Sequence, residues 1–398
     1  MIEDNLLSLS YGRIVRKDIE SNDGLLPESF ETYQIIRPGD IVLRLTDLQN
    51  DKRSLRSAIV GEHGIITSAY LALHPTAVEP RFLAYLLRAY DITKVFYSMG
   101  GGLRQSMKFS DMKRMPVVVP AKEEQAAIAS FLDLETAKID ALVAEQQKLI
   151  ELLKEKRQAL ISHVVTKGLN SNVPMRDTGI KWLGIVPAHW RLLALKRLVR
   201  QGSSISYGIV QPGEPLDEGV PFVQTTNMTS GNFEIEALQH TTQEIAAAYP
   251  RSQLTGGEVL LGIRASIGAA FVAPESLRGA NLSRGVARIE CSSEIMPTYL
   301  VTYLRSNPTT TYWRLSMQGS TFSEVSIDTV KQLPVLVPTP EEQENISSHL
   351  SRAIQSLHKL LIEAKLAIDL LNERRSALIS AAVTGKIEVR AFAKADAA

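Results

Sequence analysis

The chain contains two copies of one sequence unit, separated by 218 positions. Residues 116–120, which read Pro-Val-Val-Val-Pro, return as residues 334–338, and a Glu-Glu-Gln triplet follows each copy after the same interval. The next fifty residues match without a gap, a density that chance does not explain. Because a duplicated chain can imitate a two-fold dimer, and two-fold proteins tend to bind two-part targets, the repeat predicts a bipartite ligand.

Two long helices are predicted, one in each copy, starting at Glu123 and at its counterpart Glu341. Both stretches lack Pro and Gly in their interiors and begin with acidic residues, which suit the positive end of a helix. Each should span about 40 residues, or roughly 60 Å. The apolar positions follow a seven-residue rhythm typical of a seam between helices. In the first copy they are Ile128, Leu132, Ile139, Leu142, Leu149, Leu153 and Leu160, and in the second Ile346, Leu350, Leu357, Leu360, Leu371 and Leu378.

The two helices are expected to pair with each other in antiparallel orientation. Small residues of the second copy, Ala353, Ala364 and Ala367, face larger ones of the first and would permit close approach. Gly168 and Gly385 are suited to end the two helices. A single stripe of this kind also fits a long helix packed on any core, but two matched stripes favour an intramolecular pair.

The rest of each copy is predicted to be a mixed α/β domain. Residues 171–338 contain short β-type runs, turn residues and one expected helix over 297–305, and residues 1–120 carry the counterpart. The sequence therefore predicts an α+β fold with internal duplication and pseudo-two-fold symmetry. Its segments are a first domain at 1–122, a long helix at 123–170, a second domain at 171–338, a long helix at 339–390 and a tail at 391–398.

Composition restricts the compartment and the class of partner. With 44% hydrophobic and 22% charged residues over 398 positions, the chain should form two or three domains with real cores. The single cysteine excludes an internal disulfide framework, and an acidic amino terminus without a long apolar run predicts a cytoplasmic protein that is not bound to membranes. The net charge of +1 means that any contact with DNA must come from local basic patches or partner subunits.

The expected motifs of catalysis are missing from the sequence. There is no Asn/Asp-Pro-Pro-Tyr/Phe tetrapeptide of an amino-methyltransferase, and Thr384-Gly385-Lys386 lacks the upstream glycine of a phosphate-binding loop. No Cys/His cluster has the spacing of metal ligands. We therefore expect a non-catalytic binding protein without a cofactor or metal.

The combination of motifs resembles the specificity subunit of type I restriction-modification systems. The resemblance rests on Glu-Glu-Gln-x-x-Ile-x-x-x-Leu, on long heptad helices ending in Arg-x-Ala-Leu-Ile-Ser-x-x-Val-Thr, and on residues 177–190, which read Asp-Thr-Gly-Ile-Lys-Trp-Leu-Gly-Ile-Val-Pro-Ala-His-Trp. It implies two target-recognition domains that each read half of a split site on double-stranded DNA. It also implies that the helices set the spacer and dock two methyltransferase subunits and the restriction-translocase subunits.

One departure concerns the opening of the first domain. The run at 177–190 has no counterpart before the first copy, because position 219 already corresponds to position 1. About forty residues of the family pattern are thus absent from the first copy.

Base readout requires paired donors or acceptors at loop tips, which Arg, Lys, Asn and Gln supply. Polar clusters near glycine turns provide candidates in both domains, and some of them would contact phosphate instead of bases. A charged loop residue is individually more often only solvated. The first-domain candidates are Arg44, Gln49, Asn50, Lys52, Arg53, Arg56, Arg104, Gln105 and Lys108, and the second-domain candidates are Arg264, Ser266, Asn281, Arg284, Gln318 and Ser320.

Two other classes of function compete with DNA recognition. A coiled-coil scaffold whose globular domains bind protein ligands agrees with the near-neutral charge. A solitary nuclease or methyltransferase is disfavoured by the missing motifs. The polar helix residues Glu145, Lys148, Arg157 and Arg375 are candidate docking positions for partner subunits or simply a solvated face.

Overall fold

The computed structural model describes residues 5–18, 30–48, 55–99, 106–317 and 324–389. Its fold is mixed helix and sheet, dominated by two helices of 46 and 44 residues. The helices are α1 Pro80–Ile92, α2 Val95–Met99, α3 Phe109–Met112, α4 Lys122–Lys167, α5 Thr225–Ser230, α6 Gln243–Ala247, α7 Pro297–Leu304, α8 Asn307–Ser316, α9 Ile327–Gln332 and α10 Pro340–Val383. The strands of the first half are β1 Leu7–Ser10, β2 Arg13–Arg16, β3 Gln34–Ile36, β4 Ile41–Leu43, β5 Ser57–Ile59, β6 Gly64–Ile66 and β7 Leu71–Leu73. Those of the second half are β8 Met175–Asp177, β9 Ile185–Pro187, β10 Arg191–Ala194, β11 Ser206–Tyr207, β12 Val220–Val223, β13 Gln239–Thr241, β14 Val259–Gly262, β15 Ala270–Val272, β16 Asn281–Leu282, β17 Val286–Ile289 and β18 Pro334–Val337.

The chain divides into two compact units. Unit 1 comprises Met1–Lys148 and Ala364–Ala398, and unit 2 comprises Leu149–Glu363. Each long helix is therefore shared between the units, in contrast to the predicted division in which the helices were segments of their own. The physical reason is that the ends of both helices contribute apolar side chains to the core of a globular part.

Unit 1 is built from short strands around α1. Strand β4 pairs antiparallel with both β5 and β7, β3 pairs with β6, and β1 pairs with β2. Strand β4 is buried on both faces, which agrees with its uninterrupted Ile-Val-Leu sequence. Phe82 and Leu86 of α1 pack against Ile128 and Leu132 near the start of α4 and Ile379 near the end of α10. The start of α4 and the end of α10 therefore share one core in unit 1.

Unit 2 is built around a four-stranded antiparallel sheet in the order β11-β17-β14-β15. A second sheet, β13-β12-β16, contains a parallel pair, β12 with β16, and β10 pairs antiparallel with β18. The main core collects residues of this sheet with Ile161 and Val165 from the end of α4 and Ile346 and Leu350 from the start of α10. The end of one long helix again lies against the beginning of the other.

The predicted helix ends agree with the structure. Helix α4 ends at Lys167, and Gly168 adopts a left-handed conformation with φ of +76°. Helix α10 ends at Val383, and Gly385 has φ of +70°. Glycine tolerates this conformation without the steric cost that other residues incur, and so it terminates helices. Helix α7 spans Pro297–Leu304, one residue shorter than expected.

Two buried glutamines make matching hydrogen bonds at the starts of the long helices. In unit 1, Gln125 Oε1 accepts the backbone N–H of Glu79, the N-cap of α1, and its Nε2 donates to Pro120 O. In unit 2, Gln343 Oε1 accepts the N–H of Met296, the N-cap of α7, and its Nε2 donates to Pro338 O. Each amide thus ties a long helix to the first turn of the helix packed against it.

The seam expectation needs correction in the middle of both helices. Seam residues near the helix ends are buried, for example Leu132 and Leu350. Leu142, Leu149 and Leu360 are instead 43%, 41% and 47% exposed. A heptad pattern shows which positions are apolar, but it does not show which residues pack against them. Among the described residues, the neighbours of these three leucines leave a large part of each side chain exposed to solvent.

No helix among the described residues has both the length and the apolar character needed to cross a bilayer.

Candidate nucleic-acid interface

The site is organised by one tight loop of unit 2 between β14 and β15, residues 264–268. The loop closes through a hydrogen bond from Gly268 N to Gly262 O at 3.0 Å, and Ala265 adopts a left-handed φ of +56°. A Cβ on Gly262 would lie 2.2 Å from Ser266 O, so this strand end must be glycine for the chain to turn so closely. The turn fixes Arg264 on one side of the loop and Ile267 and Gly268 on the other.

On the first side, Arg264 and Arg284 converge on one carboxylate. Arg284 Nη2 lies 3.4 Å and Arg264 Nε 3.9 Å from Glu324 Oε2, and both arginine side chains are more than 40% exposed. They border a groove of about 320 Å³ that also includes Gln224, Thr225 and Gly285. Two guanidinium groups facing one carboxylate leave the groove with a net positive charge. Solvent-exposed pairs of this length are weak, so a stronger acceptor can replace Glu324.

Gln224 supplies an amide at the same groove. Its backbone N–H donates to Asn227 Oδ1 at 2.8 Å, and its side-chain Nε2 donates to Gln239 Oε1 at 2.8 Å. A Cβ on Gly285 would lie 2.3 Å from Thr225 Cγ2, which explains the glycine opposite this helix start. Arg and Gln are the side chains that make bidentate contacts with guanine and adenine edges. Sequence reasoning missed Gln224, whose position depends on the β12–α5 junction.

On the second side of the loop, three cations line a cleft of about 390 Å³. Lys154 and Arg157 come from α4 and Arg305 from the end of α7, and Gly268 closes the wall. The Arg305 guanidinium carbon lies 4.3 Å from the centroid of the Phe271 ring. Burial, assisted by the nearby charge of Arg157, lowers the pKa of Arg305. Lys154 Nζ lies 2.8 Å from Glu151 Oε1, which balances its charge. Arg157 and Arg305 lie near each other in the same cleft, and because their like charges repel, the cleft favours an anion.

Two polar atoms near the loop are buried without a hydrogen-bond partner among the described residues. They are Ser266 Oγ and Trp313 Nε1. A Cβ on Gly268 would lie 3.3 Å from Trp313 Nε1, which places this indole N–H directly behind the loop. Ser266 is therefore at the loop, as predicted, but its hydroxyl is turned inward in this structure.

Asn281 does not occupy the position that the sequence predicted. It is 1% exposed, its Nδ2 donates to Ala246 O at 3.1 Å, and its Oδ1 accepts a short hydrogen bond from Ser252. A buried amide with both ends satisfied cannot read a base edge without breaking these bonds. The expectation that Asn281 contacts DNA is corrected to a structural role.

Arg56 is also buried, with no exposed surface. Its guanidinium donates to the backbone carbonyls of Arg44, Thr46 and Asp47 at 3.2, 2.7 and 3.0 Å, and its Nε lies 3.2 Å from Tyr97 Oη. These bonds hold the start of the loop between β4 and β5. Arg56 is therefore a buried support for residues 44–47 and not an exposed side chain, which corrects the sequence expectation.

The remaining first-domain candidates divide into two groups. Lys108 is exposed at the start of α3, and Arg44 is half-buried beside β4. The other candidates lie outside the described residues, as do two of the second domain. They are Gln49, Asn50, Lys52, Arg53, Arg104, Gln105, Gln318 and Ser320.

A model of the type I restriction modification DNA specificity domain matches residues 214–366, which include the 264–268 loop, Arg264, Arg284 and Arg305, and the start of α10. Over these residues the chain is similar to the specificity family of type I restriction-modification systems.

Two specificity subunits are similar to the chain in sequence. The chain is 23% identical over 274 residues to the type I restriction enzyme EcoBI specificity subunit of Escherichia coli, covering 68% of this chain but only 58% of that protein. It is 25% identical over 326 residues to a putative type I restriction enzyme MjaX specificity subunit of Methanocaldococcus jannaschii, covering 79% and 69% of the two chains.

Two solved structures are similar to the chain in fold. A chain from a study of complex assembly and conformational transition of the type I R-M system has a TM-score of 0.69 at 18% identity, covering 89% of this chain and 84% of that one. The HsdS subunit from Thermoanaerobacter tengcongensis has a TM-score of 0.50 at 17% identity, covering 90% and 84%.

Among the described residues, no group of three or more His, Cys, Asp or Glu side chains is arranged to hold a metal ion. The residues that sequence reasoning missed are Gln224 and Arg305. Arg305 had no local signal, because it meets Arg157 only through the packing of α7 on α4.

Proposed function

We propose that this chain is the non-catalytic DNA-recognition subunit of a cytoplasmic type I restriction-modification complex. Each unit reads one half of a split site on double-stranded DNA. The observation that carries the proposal is the pair of arginine-lined clefts on either side of the 264–268 loop, which itself lies within the matched residues 214–366. Arg264, Arg284 and Gln224 are the proposed base readers, and Arg157 and Arg305 the proposed phosphate contacts.

The two units are the proposed copies of one duplicated domain. Asp47 and Ala265, which are 218 positions apart, both have φ of +56° in the loop after the central strand. Asp40 and Glu258, also 218 apart, each accept the backbone N–H three residues earlier, from Arg37 at 2.8 Å and Thr255 at 2.7 Å. These correspondences, with the two glutamines, support a shared loop architecture. Residues 49–53 and 104–108 are then the proposed readers of the first half-site.

The two long helices are the proposed antiparallel, coiled-coil spacer between the reading units. At 1.5 Å per residue, helices of 46 and 44 residues are about 69 and 66 Å long. A reach of this size corresponds to about two turns of DNA, at roughly 34 Å per turn. The unread middle of the target is therefore set by helix length.

The exposed apolar residues in the middle of the helices support docking of partner subunits there. Solvent exposure lies between 41% and 55% for these side chains: Leu142, Leu149, Leu152, Leu360, Ile362, Leu366 and Leu370. A helix face of this character is unusual unless another protein covers it. We propose that two methyltransferase subunits bind at these helices and that the restriction-translocase subunits bind through them.

The proposal is tested by methylome sequencing of cells that carry the methyltransferase subunit with and without this chain. A bipartite methylated motif with an unread middle is expected only when this chain is present. A protein-binding scaffold without DNA recognition would leave the methylome unchanged, and that result would contradict the proposal.

The spacer is tested by deleting one heptad from both helices, residues 143–149 and their counterparts 361–367. Seven residues shorten each helix by about 10.5 Å with little rotation. The preferred spacer should shorten by about three base pairs at 3.4 Å each. A deletion of residues 143–149 alone is the control, because it mismatches the pair. An unchanged spacer with the double deletion would refute the ruler.

A further inference from the structure

Unit 1 contains a cavity of about 480 Å³ that is lined by arginine side chains. Its walls come from β2, from β5 and the residues that follow it, from α1 and from the two long helices. The lining arginines are Arg13, Arg81, Arg88 and Arg375, and the lining carboxylates are Glu62 and Asp133. Four cations against two carboxylates give the wall an excess of positive charge.

Arg88 of α1 is the cation in this wall that lacks a carboxylate partner. Its Nε donates to Ser57 Oγ at 3.2 Å, and its Nη2 donates to the backbone carbonyls of Gly12 and Ser57. A Cβ on Gly12 would lie 2.6 Å from Nη2, so the turn between β1 and β2 fits directly over the guanidinium. Among the described residues, Arg88 forms no ion pair and its Nη1 has no hydrogen-bond partner. The cavity wall therefore holds a positive charge that the surrounding side chains do not neutralise.

Arg375 and Arg13 add further positive charge beside Arg88. They share a single carboxylate, Asp140, at 2.9 and 3.3 Å, so one of the two charges remains unbalanced. Burial lowers the pKa of Arg88 to about 10, the charge of Asp91 opposes this effect, and the charges of Arg375 and Arg13 add to it. Arg88 is still ionised at neutral pH. Because these three cations repel one another, an anion placed among them would be stabilised.

The other lining residues indicate what else the ligand must carry. Ile14, Ile59 and Ile379 supply apolar surface, and Glu62 and Asp133 supply carboxylate oxygens that accept hydrogen bonds. An inorganic anion alone would leave the apolar surface in contact with water. The volume is instead in the range that encloses a small organic molecule. A ligand with an anionic group, apolar faces and N–H or O–H donors would use all three kinds of surface.

We propose that this cavity binds a small phosphate monoester with a planar, donor-bearing body, the chemistry of a nucleoside monophosphate. The phosphate lies among Arg88, Arg375 and Arg13, since the arginine fork matches phosphate geometry. The body lies against Ile59 and Ile379. A phosphate ester also occurs in the DNA backbone, and the experiment below separates that source from a free nucleotide. A free ligand at this site goes beyond the proposed recognition of DNA.

Adenosine 5′-monophosphate is the probe, titrated calorimetrically into the full chain. Adenosine lacks the phosphate and inorganic phosphate lacks the body, so each should bind at least about tenfold more weakly. Hydrogen exchange measured by mass spectrometry should slow at residues 12–14 and 58–62 when the monophosphate is bound. Exchange at residues 264–268 should stay unchanged.

Gly61 is a position from which the cavity can be blocked. It lines the cavity, its φ is not left-handed, and a Cβ there would have no atom within 4 Å. Gly61→Phe should weaken binding of the monophosphate at least about tenfold, whereas the matched Gly61→Ala should change it by less than about threefold. Melting curves of both variants should lie within a few degrees of the parent chain.

Arg13 tests the charge of the site, because its side chain is 69% exposed and its replacement should not disturb the fold. Arg13→Gln should weaken binding of the monophosphate by about three- to tenfold and leave binding of adenosine unchanged. Arg374→Gln removes an exposed arginine that does not line the cavity, and it should leave the affinity for the monophosphate unchanged.

Three results would overturn the proposal. The monophosphate does not bind, or it binds Gly61→Phe as tightly as the parent chain, or duplex DNA with the methylated motif displaces it from the assembled complex. The last result would make the cavity a contact for the DNA backbone, whereas a monophosphate that stays bound beside the duplex supports a free ligand. None of these outcomes alters the methylome of the wild-type complex, so failure here is distinct from failure of the proposed function.

Discussion

Arg375 of α10 donates from Nη1 to Asp140 Oδ1 of α4 at 2.9 Å, and thereby joins the two long helices within unit 1. Arg13 lies 3.3 Å from the other oxygen of the same carboxylate. The sequence offered Arg375 as a partner-docking position, but in the structure it is engaged inside its own unit. The Arg375 side chain is 27% exposed and Asp140 36%, so solvent screens the pair substantially.

The Arg375→Ala variant should therefore lose only about 0.5–1 kcal/mol of unfolding free energy. The loss should shrink at high salt, because exposed ion pairs are screened. Urea unfolding at low and high sodium chloride measures it, with Arg374→Ala, the exposed neighbour, as control. Equal losses in the two variants would show that the pair contributes nothing specific.

Arg56 provides a stronger test, because its removal leaves buried carbonyl groups without donors. Arg56→Met keeps most of the side-chain volume and removes every donor, so a loss of about 3 kcal/mol or more is expected. Lys108→Ala changes an exposed cation of the same unit and should stay within about 0.5 kcal/mol. Chemical unfolding of both variants makes the comparison. A small loss for Arg56→Met would mean that water replaces its hydrogen bonds.

The cleft of Arg157 and Arg305 predicts a change in salt dependence. Replacing each by Gln should weaken DNA binding of the assembled complex and reduce the slope of log K against log salt by about 0.9 for each phosphate that the cleft no longer neutralises. The preferred sequence should not change, because binding to phosphate carries no base information. Arg374→Gln is the charge-matched control. A changed sequence preference with an unchanged slope would contradict the phosphate assignment.

Glu342 predicts a pH effect on stability. Burial acts to raise its pKa, but hydrogen bonds from Trp190, Thr339 and His189 outweigh burial and lower the pKa below its usual value near 4.5. A lowered pKa means that the ionised form stabilises the fold. That contribution is fully present above the ordinary pKa and is lost as pH falls through the folded value.

The gap in stability between the wild type and Glu342→Gln should accordingly narrow as pH falls through and below the usual glutamate value. Urea unfolding across this range measures the gap. The neighbouring Glu341→Gln variant is the control and should show no such narrowing. A constant gap for Glu342→Gln would mean that the hydrogen bonds to its carboxylate do not depend on charge.

The long helices could be predicted because their signals are local. Uninterrupted heptads without Pro or Gly, followed by Gly168 and Gly385, determine both where the helices lie and where they end. The solvent exposure of Leu142 and Leu360 could not be predicted in the same way. It depends on which residues pack against them, and the heptad pattern does not encode those contacts.

The candidate site was predictable only in part. Arg264 and Arg284 were identified because they stand beside glycine turns, and both lie at one groove. Asn281 and Arg56 were misplaced, because the same donors that read bases also satisfy buried carbonyl groups, and sequence does not tell which way a polar side chain points. Arg305 was missed since only tertiary packing brings it to Arg157.

The central claim is that each unit reads its own half of the target, and a double variant of unit 2 tests it. Arg264→Gln with Arg284→Gln removes both guanidinium groups from the groove, and Arg278→Gln, which removes a cation paired with Glu275, is the control. Methylome sequencing of cells with the assembled methyltransferase should show relaxed sequence in one half of the motif, with the other half and the spacer unchanged. Relaxation of both halves, or an unaltered motif, would contradict the account.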